Sequence, residues 1–184
     1  MGPIQQLAAD LGAEERTLRR AAAQGTIRCR RLGSRRLRLA AGEREYLRDH
    51  WQILSELRRA LRTERRVRLA VLYGSLARGD EDASSDLDLL VSLSEDRPTP
   101  PTDLAATLER VAGRRVDVAR LSRIEPDAPL LLDRTLDEGR VLVDRDGLWQ
   151  LLQSRRRAIR ARAQRSHRRQ MSEAARAIED LVLA

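Results

Sequence analysis

Residues 67–93, VRLAVLYGSLARGDEDASSDLDLLVSL, constrain the fold more than any other stretch. An apolar strand, VRLAVLY (67–73), runs into Gly74-Ser75, crosses a short acidic loop and returns as a second strand, DLDLLVSL (86–93). Side chains alternate across a pleat, so Asp86 and Asp88 share one face. Two like charges held that close repel unless a cation lies between them. Gly74 lets the backbone turn sharply at the strand end, where a Cβ would obstruct the approach of a phosphate. Ser75 opens a helical turn whose N–H groups face an anion there, and its hydroxyl adds a donor. Downstream, RRVDVARL (114–121) reads as a third strand, with Val116 and Val118 facing the core and Asp117 pointing the other way. Three carboxylates on adjacent strands supply hard oxygen ligands for Mg²⁺. Two such ions would brace the entering and leaving oxygens of an in-line displacement at an α-phosphate.

The order Gly-Ser, ten residues, Asp-x-Asp, then an Asp in a later strand resembles the nucleotidyltransferases of the DNA polymerase β superfamily. More narrowly it resembles the minimal nucleotidyltransferases of prokaryotes, whose usual wording is close to FGSRARGxxxxxSDLDLLV. Gly74, Ser75, Ala77, Arg78, Gly79, Ser85, Asp86, Leu87, Asp88, Leu89, Leu90 and Val91 fit that wording. The similarity extends over about residues 67–150 and includes LDEGRVLVDRD (136–146), which is like the family's closing Glu-Gly strand. The resemblance implies that Asp86 and Asp88 bind both Mg²⁺ ions, that Asp117 supports the catalytic one, and that Ser75 contacts terminal phosphates. Arg78 is then an additional phosphate contact beside Gly74. Asp80, Glu81 and Asp82 are expected to solvate the loop.

The front of the chain has a different character. Residues 4–23 read as two short helices, the first ended by Gly12 and the second stopping at Gly25. TIRCRRLGSRRLRLA (26–40) alternates apolar and basic about Gly33-Ser34, as a β-hairpin does. This arrangement resembles excisionase or MerR-like winged helix-turn-helix modules, in which A-x-x-L-G-V-S-x-R-T-L-R-R leads into a wing. Ala8, Leu11, Gly12, Arg16, Thr17, Leu18, Arg19 and Arg20 fit, whereas Glu14 stands where the family often has Ser as helix cap. From Arg16 to Arg38 there are nine Arg and no acid. The resemblance implies double-stranded DNA as a partner, with Arg16, Thr17, Arg19 and Arg20 at a major groove and Arg35 and Arg36 of the wing on the backbone. From Gly42 to about Leu61 an amphipathic helix, apolar at Leu47, Trp51, Leu54, Leu57 and Leu61, is expected to connect the two modules.

Composition matters here because all 36 cations are Arg, with no Lys, Asn or Phe in the chain. That uniformity reflects coding bias, so placement rather than abundance carries information. Residues 1–73 hold 17 Arg against 8 acids, 74–150 hold 10 against 17, and 151–184 hold 9 against 3. An acidic middle between basic flanks predicts different work along the chain. The single Cys29 excludes an intramolecular disulfide, and two histidines without ligand spacing exclude a zinc site. The absence of a long apolar run or signal-like start predicts a cytoplasmic protein with no membrane partner.

After residue 93, SEDRPTPPT (94–102) is expected to be a loop, followed by a helix at 103–112, the strand 114–121, a helix near 127–138 and a short strand at 141–143. The end is expected to be helical, with Gly147, Leu148, Trp149, Leu151 and Leu152 anchoring it. Residues 154–170 carry eight Arg and no acid, by default a solvated run. Ala174, Ala177, Ile178, Leu181 and Val182 form an apolar stripe that could pair with a second copy or a partner. The expected fold class is α+β: a DNA-binding unit (1–45), a connector helix (46–64), a mixed-sheet transferase domain (65–146) and a basic helical end (147–184). The expected reaction moves a nucleoside monophosphate from an NTP to a protein hydroxyl, as in AMPylating antitoxins that act on a partner toxin and control their own operon. Alternatives are a toxin that modifies tRNA, and a regulator whose silent transferase domain senses a nucleotide.

Overall fold

The computed structural model describes residues 3–32, 37–94 and 101–182. Helices α1 (Pro3–Asp10) and α2 (Glu15–Gln24) are followed by strands β1 (Cys29–Arg31) and β2 (Leu37–Leu39), an antiparallel pair with Arg30 opposite Arg38. The long α3 (Glu43–Thr63) leads to β3 (Val67–Tyr73), the single-turn α4 (Gly74–Arg78) and β4 (Leu87–Leu93). Then come α5 (Pro101–Ala112), β5 (Val116–Arg120), α6 (Leu121–Asp127), α7 (Pro129–Glu138), β6 (Arg140–Asp144), α8 (Leu148–Ser154) and α9 (Arg156–Val182). The main sheet has the order β5-β4-β3-β6, with β4 and β5 parallel and the other pairs antiparallel.

Strand β3 is apolar almost throughout because both its faces are covered. Ala70 and Leu72 pack with Leu87, Leu89 and Val91 against α3, α5 and the N-terminal helices, while Leu69, Val71 and Tyr73 pack with Leu90 and Val141 against α7, α8 and α9. Such a strand reads as a continuous hydrophobic run rather than an alternation. Leu47, Leu54, Leu57 and Leu61 of α3 are fully buried, and each contributes about 1.5–3 kcal/mol relative to exposure. One buried cluster thereby runs from Ile4 and Leu18 through α3 to the sheet. The edge of β6 is covered as well. Gly25, in the left-handed conformation that ends α2, accepts a hydrogen bond from Val141 N at 3.2 Å, and Thr26 Oγ1 donates to Val141 O. An edge strand so occupied has few open groups for a further chain.

Several boundaries move from the sequence expectation. Helix α5 begins at Pro101 rather than 103, since proline suits a first helical turn whose N–H would lack a partner anyway. The third strand is shorter, 116–120, and Leu121 already starts a helix, so the segment expected as one helix near 127–138 is two, α6 and α7. The loop expected at 94–102 is described only at its ends. At the C-terminus Leu152 is buried but Leu151 is 53% exposed, so Leu151 anchors nothing. The Arg run from 154 is exposed as expected at every Arg except the half-buried Arg156. Arg155, Arg156 and Arg160 pair with Glu125, Asp137 and Asp133, while Ile159 and Ala163 are buried on the same helix.

Candidate active site

The site grows from the end of β3. Gly74 has φ +76°, which a side chain would strain, and a Cβ there would run into Asp88 Oδ2. The same glycine therefore makes the turn and leaves room for the carboxylate. Across the sheet, Asp88 lies opposite Tyr73 on β3 and opposite Asp117 on β5. Residues directly opposite in a ladder point to the same face, so Tyr73, Asp88 and Asp117 form one row. Asp86 stands just before β4, two positions from Asp88, with Arg115 Nη1 3.8 Å from its Oδ2. Burial, then the charges of Asp117 and Asp86, push the Asp88 carboxyl above its ordinary value, with Arg78 pulling the other way. Burial, then Asp88 and Asp117, push the Tyr73 hydroxyl up to about 12.

Mutual repulsion of this kind is what a divalent cation relieves, and an all-carboxylate set is the hard oxygen chemistry that Mg²⁺ takes. In donor chemistry, though not in their placement, the residues suit the ion. Among the described residues no group of three or more Asp, Glu, His or Cys side chains is placed to hold a metal ion, so Asp86, Asp88 and Asp117 face one way without forming a ready-made metal site.

On the other side of the turn, Gly74 N donates to Glu138 Oε1 at 3.3 Å, and Arg78 Nη1 reaches both Glu138 oxygens at 3.1 Å. Arg78 Nε bonds Asp80 at 3.0 Å. Ser75 is half-buried, and its carbonyl accepts the N–H groups of Gly79 and Asp80 that close the turn. The acidic loop does more than meet water. Glu81 pairs with His50 Nε2 at 2.6 Å, and Asp82 Oδ1 accepts bonds from Ser84 and Ser85 that hold its carboxyl below the usual value. Asp80 and Asp82 are exposed, as expected of a solvated loop, while Glu81 is half-buried against His50.

The profile of the family described as "Polymerase beta, Nucleotidyltransferase" matches residues 55–147, half of the chain. The chain belongs to this family. The matched segment of this nucleotidyltransferase runs from within α3 to Gly147, past the end of β6, and contains the whole carboxylate row. The chain is 38% identical over 73 residues to the "Putative protein adenylyltransferase MJ0435" of Methanocaldococcus jannaschii, spanning 39% of this chain and 75% of that protein. It is also similar to two solved structures of toxin–antitoxin assemblies. One is a toxin–antitoxin with AMP-PNP (20% identity, TM-score 0.47, 71% of this chain and 98% of that one). The other is a tri-AMPylated Shewanella oneidensis HEPN toxin in complex with an MNT antitoxin (18%, 0.44, 73% and 99%).

Four residues of this nucleotidyltransferase that structure its site, Glu138, Gly139, Arg140 and His50, had no individual role in the sequence. Glu138 was visible only as part of the Glu-Gly pair, and Gly139 beside it admits no side chain, since a Cβ would lie 2.7 Å from Val71 Cγ1. Arg140 is 1% exposed and forms a two-pronged pair with Glu43 at 2.6 and 3.0 Å. It also donates to Ala77 O at the end of α4 and to Thr26 O, and lies 3.5 Å over the Tyr46 ring. His50 stacks on Tyr46 at 4.2 Å between ring centres. Nothing local distinguishes Arg140 from 35 other arginines. As for the basic front, Arg16, Thr17, Arg19 and Arg20 are exposed on α2 opposite the buried Leu18 and Ala21, with Arg19 tied to Glu15 at 2.7 Å. Glu14 makes no side-chain cap bond. Arg35 and Arg36 lie outside the described residues.

Proposed function

We propose that the chain transfers a nucleoside monophosphate from an NTP, ATP first among them, to a hydroxyl of a partner protein. The observation that carries this reading is the row Tyr73–Asp88–Asp117 set against the Gly74 turn. Similarity to the "Putative protein adenylyltransferase MJ0435" of Methanocaldococcus jannaschii supports protein as the acceptor. Asp86, Asp88 and Asp117 would hold Mg²⁺, which when bound neutralises triphosphate charge and lowers the acceptor's pKa. Gly74, Ser75 and Arg78 would seat the phosphates, Arg78 leaving Glu138 to do so. Asp117, the exposed member of the row, accepts the hydroxyl proton as the acceptor oxygen bonds to the α-phosphorus. The α–β bridging bond breaks and pyrophosphate leaves.

In the same reading, residues 1–45 bind double-stranded DNA through Arg16, Thr17, Arg19 and Arg20, with Arg35 and Arg36 in support. The helix–turn–helix–hairpin order and the exposed cationic face of α2 favour this. A transferase joined to such a reader suits an antitoxin that represses its own operon and modifies the toxin encoded beside it. The test is transfer of label from α-³²P-ATP with Mg²⁺, offering the product of the adjacent gene and, separately, total tRNA. Label on the protein, reduced about 100-fold or more in Asp117→Asn, supports the proposal. Label on tRNA alone, or equal label with Asp117→Asn, overturns it.

A further inference from the structure

The arginines that α2 presents do not stop at the end of that helix. Gln24, its last residue, accepts bonds from two arginines of α3 through one oxygen: Arg58 Nη2 at 2.8 Å and Arg62 Nη2 at 3.3 Å. Arg145, after β6, donates to the carbonyl of Arg62 at 2.9 Å and to Val67 O at 2.8 Å. Arg20, Arg62 and Arg145 are exposed, whereas Arg58 is buried beneath them. Among the described residues no carboxylate lies within ion-pair distance of Arg20, Arg62 or Arg145. The acids nearest in sequence are engaged elsewhere, Glu64 with Arg66 and Asp146 with Arg68. Burial and then the neighbouring arginines push Arg58 down to about 10, and the Arg62 guanidinium is lowered by burial, Arg20 and Arg145.

Packing cations together in this way is unfavourable unless an anion serves them all. Exposed guanidinium groups spread over three chain segments suit a run of phosphates better than one small anion, because their forks reach successive oxygens. Arg20 stands one helical turn before Gln24, the residue that Arg62 bonds, and so joins this cluster to the exposed face of α2 proposed to enter a groove.

We propose that Arg20, Arg62 and Arg145 form a seat for the backbone phosphates of duplex DNA, extending the footprint from α2 onto the transferase half of the molecule. This rests on the reading of α2 as a DNA-contacting helix. The transferase half is then part of the DNA-binding surface, and a fragment ending before α3 lacks most of the seat. Such contacts position the duplex without reading its sequence.

The experiment uses the full chain and a fluorescein-labelled duplex of random sequence, with affinity measured by anisotropy between about 50 and 200 mM salt. Each lost phosphate contact lowers the slope of log K against log salt by about 0.9. Arg62→Gln is expected to lower it by about that amount, and Arg145→Gln likewise. Arg134→Gln, an equal charge change on exposed α7, is expected to leave it unchanged. Arg145 also bonds backbone carbonyls, so should its variant not fold, Arg62→Gln decides alone. An unchanged slope with Arg62→Gln, or an equal fall with Arg134→Gln, overturns the seat. If Arg16→Gln and Arg19→Gln weaken binding while Arg62→Gln does not, the seat fails and the α2 reading stands. No binding by the unaltered chain overturns both.

Discussion

The pair Glu43–Arg140 joins the start of α3 to β6, and its removal is the most informative perturbation of this fold. Glu43 and Arg140 are 3% and 1% exposed, and the guanidinium meets both carboxylate oxygens. Glu43 Oε1 also accepts the backbone N–H of Arg28 at 2.8 Å, and the charges of Arg28 and Arg140 already oppose each other around it. Glu43→Gln keeps the volume and removes only the charge. Arg140 is then a buried cation without its anion, with a second cation near, which costs about 3–5 kcal/mol. Against a total stability of about 5–15 kcal/mol this is a large fraction. With a urea slope of about 2 kcal/mol/M, the unfolding midpoint falls by roughly 1.5–2.5 M. Trp51, on the same helix and 7% exposed, reports the transition by fluorescence. The double variant Glu43→Leu/Arg140→Met leaves no buried charge and is expected to lie above Glu43→Gln in stability, although Ala77 O and Thr26 O lose a donor. A loss below about 1 kcal/mol, the level of a surface pair, would refute the reasoning. So would a double variant less stable than the single one.

Asp88→Asn is expected to raise the melting temperature at neutral pH in the absence of divalent ions while abolishing transfer. A carboxyl with a raised folded pKa destabilises once pH exceeds its unfolded value. The gain therefore shrinks as pH falls from Asp88's raised value through the ordinary Asp range, and thermal melts of both proteins across that range check it. Gly74→Ala meets both a positive φ and the Asp88 carboxylate, so it is expected to lose about 1 kcal/mol or more of stability and to lose activity disproportionately. Comparison of melts with label transfer separates the two losses. His50→Ala deprives Glu81 of its partner, with an expected cost of about 1–3 kcal/mol by urea titration and faster amide exchange in residues 79–86.

Much of the catalytic half was legible because its local signals are strong. The run 67–73 forms a strand with the expected bounds, and alternation gave Asp88 its face, although the second strand begins at Leu87 and leaves Asp86 just ahead of it. The outward side of Asp117 followed from Val116 and Val118. The α2 and α3 bounds came close for the same reason, glycines marking their ends and apolar spacing their faces. Illegible were the partners: Glu138 for Arg78, His50 for Glu81 and Arg140 for Glu43, which lie 60, 31 and 97 residues apart. In a chain whose every cation is Arg, a buried guanidinium and an exposed one look alike in sequence.

The sequence by itself determined most of the strands and helices, the faces they bury and the carboxylates and glycine at the end of β3, because period and residue type are local properties. Only the tertiary structure decided that Asp117 stands opposite Asp88, since a two-residue slip of β5 would keep its face and still carry it away from Asp88. It alone also decided that α2, α3 and β6 share a buried ion pair and one core. Register and long-range pairing are set by how whole layers pack, and no single segment contains that information.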